Sequence, residues 1–313
     1  MTTQPRTVQL SISLASFSPE KPGDWSHLRE QIRVAEAAGL DRVVVSDHVV
    51  YGENLEAYGD PSLGGTTGGR QPTGPDGHWL EPFTVLTRAA GLTERVRLGT
   101  NIMLAALRRP VVLAKELATL DVLSGGRVDL GVGVGWQREE YEAAGLDFDR
   151  RGALLDHTLA VCRTLWTEAR AHFNDEFLRF DAIHQMPKPV QGGGVPIWVG
   201  GTFQPRMVRR LAAFGSGWIP WGPAAADLPA HIPMVKQALA DAGREDTADL
   251  QVVGTLPVFR DGDHVDLVRT VDATGPLVEA GVTDFRVRWG RSGDPAADEG
   301  NLTALVRMFR DSF

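Results

Sequence analysis

Eight β-prone runs, each followed by a run of helical period, succeed one another along the whole chain, and this alternation limits the fold more than any other feature of the sequence. The strand runs cover residues 7–15, 41–47, 96–103, 127–135, 195–201, 215–221, 250–258 and 283–289. The helical runs cover 25–38, 81–93, 110–123, 152–166, 205–214, 226–242, 265–280 and 301–313. A helix between consecutive strands is the crossover that parallel neighbours require. Eight such units that close on themselves make an α/β (β/α)8 TIM barrel, with its active site at the carboxyl ends of the strands. An open doubly wound sheet is the alternative, but no G-x-G-x-x-G fingerprint follows the first strand run. Helix punctuation agrees: Pro110 opens one helical run, and Gly39, Gly125 and Gly281 follow the ends of others.

A chain of 313 residues would ordinarily suggest two domains, yet barrels exceed 250 residues as one unit, so residues 1–313 are read as a single barrel domain. Two insertions interrupt it, one after strand two (51–80) and one after strand four (171–190). The first contains "GGTTGGRQPTGPDG" and is expected to be a mobile active-site loop, with a disordered surface excursion as the alternative. The second contains "HFNDEFLRF", which predicts a small hairpin.

Composition removes several function classes. A formal net charge of −8 argues against general binding to nucleic acid or anionic membranes and leaves a small-molecule substrate. No apolar run approaches a membrane span and residues 1–8 lack the sections of a signal peptide, so a cytoplasmic location is expected. The one cysteine, Cys162, shares a helical face with Leu155, Leu159 and Trp166 and reads as core; no metal site is expected.

Polar residues gather where the strand runs end. Strand two closes on Ser46-Asp47-His48, strand three on Gly99-Thr100-Asn101, strand four on Gly133-Val134-Gly135-Trp136 and strand five on Gly200-Gly201-Thr202. His48 at that face is the candidate proton carrier, beside Asp47. Gly131, Gly133 and Gly135 share one side of strand four, either for tight packing or to lay a flat ring against bare backbone. "GGTFQPRMVRR" sets Gly200, Gly201 and Thr202 before a helix start, an arrangement that binds anions, with Arg206, Arg209 and Arg210 in its first turns. Trp79, Trp136, Trp198, Trp218 and Trp221 are divided between a pocket wall and barrel packing.

"SDH", "RVRLGTNIM", "RPVVLAKELATLDVLSGGRVDLGVGVGWQREEYEAAG" and "PKPVQGGGVPIWVGG" together carry a resemblance. The chain is similar to the bacterial luciferase-like monooxygenase superfamily, and within it to oxidoreductases that use the deazaflavin coenzyme F420. The resemblance implies a flavin-like ring at the strand carboxyl ends and a cis peptide at Asn101-Ile102, in a bulge backing the ring. It implies that Asp47 and His48 lie beside the ring, that Thr100, Asn101, Ile102, Gly133, Gly135 and Trp136 complete the coenzyme's site, and that Gly200, Gly201 and Thr202 meet its phosphate. It further implies His48 and Asp47 as the catalytic pair. Trp136 stands where the family's sugar-phosphate dehydrogenases carry a Glu, and an indole cannot serve as an acid, which argues against that substrate. Ser216 departs from the usual Asp of "DGW".

The expected function is hydride transfer between coenzyme F420 and a small organic substrate. The alternative is an FMN-dependent monooxygenase using reduced flavin and oxygen, served by a flavin or F420 reductase; a third reading is a protein that binds the coenzyme without turnover. A homodimer is the family habit.

Overall fold

The computed structural model of the protein describes residues 8–261, 264–288 and 295–313. Position 7 of the first strand run, Trp289 of the eighth and nearly all of the segment read for a signal peptide lie outside the described residues.

The barrel strands are β1 (Gln9–Ser13), β2 (Arg42–Val45), β3 (Arg97–Thr100), β4 (Val128–Val132), β5 (Ile197–Gly201), β6 (Gly215–Pro220), β7 (Gln251–Thr255) and β8 (Asp284–Val287). They form one closed parallel barrel in chain order, β8 pairing back onto β1 with Gln9 opposite Asp284. The (β/α)8 expectation holds. Apolar side chains facing the helical ring build the core: Leu10 and Ile12 of β1, Val43 and Val45 of β2 and Leu98 of β3 are all buried against helices. Each such burial stabilises by about 1.5–3 kcal/mol.

Helix Pro110–Leu123 opens on its proline and buries Leu113, Leu117 and Leu120, and helix Arg151–Thr167 packs against it with Leu155, Leu159 and Cys162 inward. Cys162 is core, and burial pushes its thiol up, out of reach of neutral-pH chemistry. Gly39 and Gly281 end their helices with φ of 80° and 105°, where a Cβ would be strained. The helical run at 265–280 is two helices, Leu267–Asp272 and Gly275–Ala280; the interior glycine and Pro276 start the second piece anew.

The amino-terminal end of the barrel is filled by charge instead of hydrocarbon. Arg42 Nε donates to Asp129 Oδ2 at 2.8 Å, Arg42 also pairs with Asp284, and Arg97 grips Asp129 through Nε and Nη2, both at 2.7 Å. Burial alone would raise the Asp129 carboxyl, but Arg42 and Arg97 overcome it and hold Asp129 below the usual carboxylate range.

The segment 171–190 contains the expected hairpin, Ala171–Asn174 antiparallel to Arg179–Ile183. The segment 51–80 carries short elements of its own. It forms short turns at Leu55–Gly59 and Pro61–Leu63, and its last part, His78–Trp79, pairs antiparallel with Phe17–Ser18. Trp79 stacks on Phe17 with ring centroids 4.3 Å apart. Among the described residues, no helix is long and apolar enough to cross a membrane.

Candidate active site

The carboxyl ends of the strands gather at one face of the barrel. Ser13 and Thr255, the last residues of β1 and β7, are exposed there, and Asn101, Ile102, Gly200 and Ile219 are half-buried around it. Strand β3 leaves the wall at this point. Asn101 N still donates to Val45 O at 2.8 Å, the Asn101-Ile102 peptide is cis, and Met103 rejoins β4 through a 2.7 Å bond to Gly131 O. Thr100 Oγ1 donates to that same carbonyl at 2.7 Å and locks the base of the bulge.

The glycines facing the bulge are explained by it. A Cβ on Gly131 would sit 2.0 Å from Thr100 O; one on Gly133 would sit 2.7 Å from Ile102 Cδ1, and one on Gly200 2.9 Å from Ile102 Cγ2. A Cβ on Gly135 would lie 2.8 Å from Leu104 Cδ2, and its φ of 71° is a second reason for glycine. Of the two readings of these glycines, tight packing accounts for the space beside all three: the Thr100 carbonyl and Ile219 fill it at Gly131, Ile102 at Gly133 and Leu104 at Gly135.

Asp47 is buried and fully engaged. Its Oδ2 accepts from Leu104 N at 2.9 Å and Arg108 Nη1 at 2.6 Å, and its Oδ1 accepts from Arg108 Nη2 at 3.1 Å. A bidentate guanidinium plus a backbone N–H occupies the carboxylate, so Asp47 fixes the chain after the bulge and has little capacity left for proton transfer. Arg108 also reaches Glu81 at 3.2 Å, and Glu81 caps the helix Pro82–Leu92 through Thr84 N.

His48 sits in an aromatic enclosure. Its ring lies 4.3 Å from Tyr51, 4.9 Å from Trp79 and 6.0 Å from Trp136, centroid to centroid. His48 Nδ1 is 3.4 Å from Glu140 Oε2, yet no hydrogen bond of proper geometry forms there, so the contact is an electrostatic approach. The other oxygen of Glu140 accepts from Val49 N at 2.6 Å, fixing the carboxylate to the backbone beside His48. Burial, and then Glu140, push the Tyr51 phenol up, so it stays a neutral donor; its hydroxyl meets Gln71 Oε1 at 3.2 Å.

The 51–80 segment closes over this enclosure. Tyr58 packs edge-on to Trp136 at 5.4 Å and lies 5.8 Å from Trp221; Trp221 Nε1 donates to Gly65 O, and Arg151 Nη2 donates to Leu63 O. The tryptophans therefore divide as expected. Trp79, Trp136 and Trp221 belong to the mouth, whereas Trp198 lies under Arg42 inside the barrel and Trp218 is fully buried with its Nε1 on Gly201 O.

Gly200, Gly201 and Thr202 precede helix Pro205–Phe214, half-buried at the rim. Arg206 and Arg209 are exposed there. Arg210 is not available: it is buried, bonded to Asp156 Oδ1 at 2.5 Å and to Gly152 O at 3.0 Å.

Sequence reasoning missed Glu140, Tyr51 and Arg108. Glu140 stands in "REEYEA", which reads like any solvated charge run, and only Tyr141 beside it hints that this face turns inward. Tyr51 opens an insertion without periodicity.

Residues 8–296 match the family described as luciferase-like monooxygenase. An uncharacterized protein of Mycobacterium tuberculosis is 32% identical over 233 residues, covering 72% of this chain and 78% of its own. A phthiodiolone/phenolphthiodiolone dimycocerosates ketoreductase of Mycobacterium tuberculosis is 35% identical over 170 residues, covering 53% of this chain and 44% of its own. Among solved structures, an F420-dependent secondary alcohol dehydrogenase in complex with an F420-acetone adduct superposes with a TM-score of 0.73 at 18% identity, covering 97% of this chain and 100% of that one.

Proposed function

The chain belongs to the luciferase-like monooxygenase family, and from that premise we propose that it transfers hydride between coenzyme F420 and a small carbonyl or secondary alcohol, with His48 carrying the proton. The observation that carries this reading is the imidazole of His48 at the barrel mouth, enclosed by Tyr51, Trp79 and Trp136 and backed by the Glu140 carboxylate at 3.4 Å.

The residues at the mouth suit a deazaflavin. The bulge at Asn101 and Ile102 gives one face, Gly200, Gly201 and Thr202 form a rim for a phosphate, and exposed Arg206 and Arg209 suit an acidic tail. Deazaflavin, when bound, supplies a carbon centre that gives or takes hydride and does not activate oxygen usefully. In the direction of reduction, His48 gives a proton to the oxygen of the carbonyl as hydride reaches its carbon; in oxidation it takes the hydroxyl proton. Nδ1 faces Glu140, so Nε2 is the atom left for this exchange, and the Glu140 carboxylate stabilises the ring while it is charged. Asp47 and Arg108 position the bulge, and the aromatic enclosure excludes water and favours an apolar substrate. A secondary alcohol dehydrogenase and a ketoreductase among the similar proteins support the carbonyl as substrate class. The same reading carries a cytoplasmic homodimer, with a separate reductase as the source of reduced coenzyme.

The test is a His48→Ala variant with reduced F420 and a panel of ketones. Retained coenzyme binding with lost turnover supports the assignment; turnover supported by reduced FMN and oxygen, unaffected by this substitution, would place the protein among the flavin monooxygenases. A protein that binds F420 but turns over no ketone or alcohol would support the non-catalytic reading.

A further inference from the structure

A second polar site lies inside the barrel, between its charged end and the mouth. Arg286 of β8, only 7% exposed, lines a small cavity together with Arg42, Asp129, Thr100, Trp198 and Ile219, with room for about one solvent-sized particle. Its Nε donates to Ser11 Oγ at 2.8 Å, but its Nη1, also buried, has no hydrogen-bond partner among the described residues.

The neighbouring charges are committed elsewhere. Arg42, another wall of the cavity, gives Nε to Asp129, Nη1 to Asp284 and Nη2 to Gln9 Oε1 at 3.1 Å. The second oxygen of Asp284 takes the Ser11 hydroxyl. Asp129 is held on its other side by Arg97 at 2.7 Å. Neither carboxylate bonds Arg286. Burial, and then the like charge of Arg42, lower the Arg286 guanidinium to about 9, so it is still a cation at neutral pH. Asp129, which also lines the cavity, is already shared by Arg42 and Arg97, so Arg286 faces the cavity without a counter-ion of its own, a costly arrangement that a water molecule would not offset in charge.

We propose that this cavity is an anion site, holding one monatomic anion of halide size against Arg286 Nη1. The space suits a single small ion, and the proposal does not depend on which coenzyme the mouth binds.

Two measurements test it. The first is thermal unfolding of the purified protein in sodium gluconate, with chloride or bromide replacing gluconate at constant ionic strength. A saturable upward shift in Tm of about 2 °C is expected, and its loss in Arg286→Met. The second is a bromide soak of crystals of the unmodified protein, where an anomalous peak is expected beside Arg286 Nη1. A water there in place of bromide, or a halide-dependent shift that persists in Arg286→Met, overturns the proposal. Should Arg286→Met fail to fold, the bromide soak decides alone.

Discussion

The two ends of the barrel are both rich in buried polar groups, and they use them in opposite ways. At the amino-terminal end Arg42, Arg97, Asp129 and Asp284 satisfy one another at short distances. At the carboxyl end His48 Nδ1 is left 3.4 Å from Glu140 without a proper hydrogen bond, and aromatic rings surround it. Fully paired charges stabilise; a titratable group kept short of full pairing stays available for chemistry. Asp47 shows that position alone does not decide the role, because at the mouth it behaves like the charges of the opposite end, saturated by Arg108 and Leu104 N.

This contrast is open to direct attack. Asp129→Ala leaves Arg42 and Arg97 buried with a lost partner and is expected to cost about 3–5 kcal/mol in urea unfolding, with kcat per folded molecule unchanged; a cost below about 1 kcal/mol would mean that the charged end is ornamental. His48→Ala is expected to behave the other way round, lowering kcat by about 10²–10⁴ while Tm stays within about 2 °C of the parent. Gly131→Ala probes the boundary between the two ends. Its Cβ would meet the Thr100 carbonyl at 2.0 Å, a backbone atom that cannot swing aside, so a loss of about 1–3 kcal/mol is expected together with weaker coenzyme binding. Glu140→Gln keeps an acceptor for Val49 N but removes the charge facing His48, and about a tenfold fall in kcat is expected, roughly 1.4 kcal/mol of lost stabilisation. An unchanged kcat in Glu140→Gln would reduce Glu140 to a backbone anchor.

Acid separates the two ends as well. Asp129 has a lowered pKa in the folded state, so its contribution to stability is complete above the unfolded carboxyl value near pH 4 and is lost as pH falls through the lowered one. Urea midpoints followed downward from pH 5 should therefore fall less steeply in Asp129→Ala than in the parent protein, since the variant has already lost that contribution. Parallel declines would remove Asp129 from the account.

Much of the barrel was legible because its signals are periodic. The eight strand runs and their helices are local patterns, and the runs "RVRLGT" and "RVDLGVGVG" needed only burial on both faces to become β3 and β4. The cis bond at Asn101-Ile102 came from resemblance to a family, not from periodicity, and the structure contains it. The partners of the polar residues stayed hidden. Nothing local marks Arg108 as the partner of Asp47, 61 residues away, or Glu140 as the neighbour of His48, since both contacts are made by the closing of the barrel. The insertion at 51–80 was illegible for another reason. Its glycines and prolines describe a chain without period, and its placement comes from seating Tyr58 and Trp79 against the rings of Trp136, Phe17 and His48, which lie outside the insertion.

The account stands on the mouth holding a deazaflavin, and the most direct measurement is a pair of equilibrium titrations of the purified protein, one with F420 and one with FMN. It predicts F420 binding with a Kd on the order of 1 μM or tighter, and FMN binding at least about tenfold weaker. Tight FMN binding with no measurable affinity for F420 would contradict it.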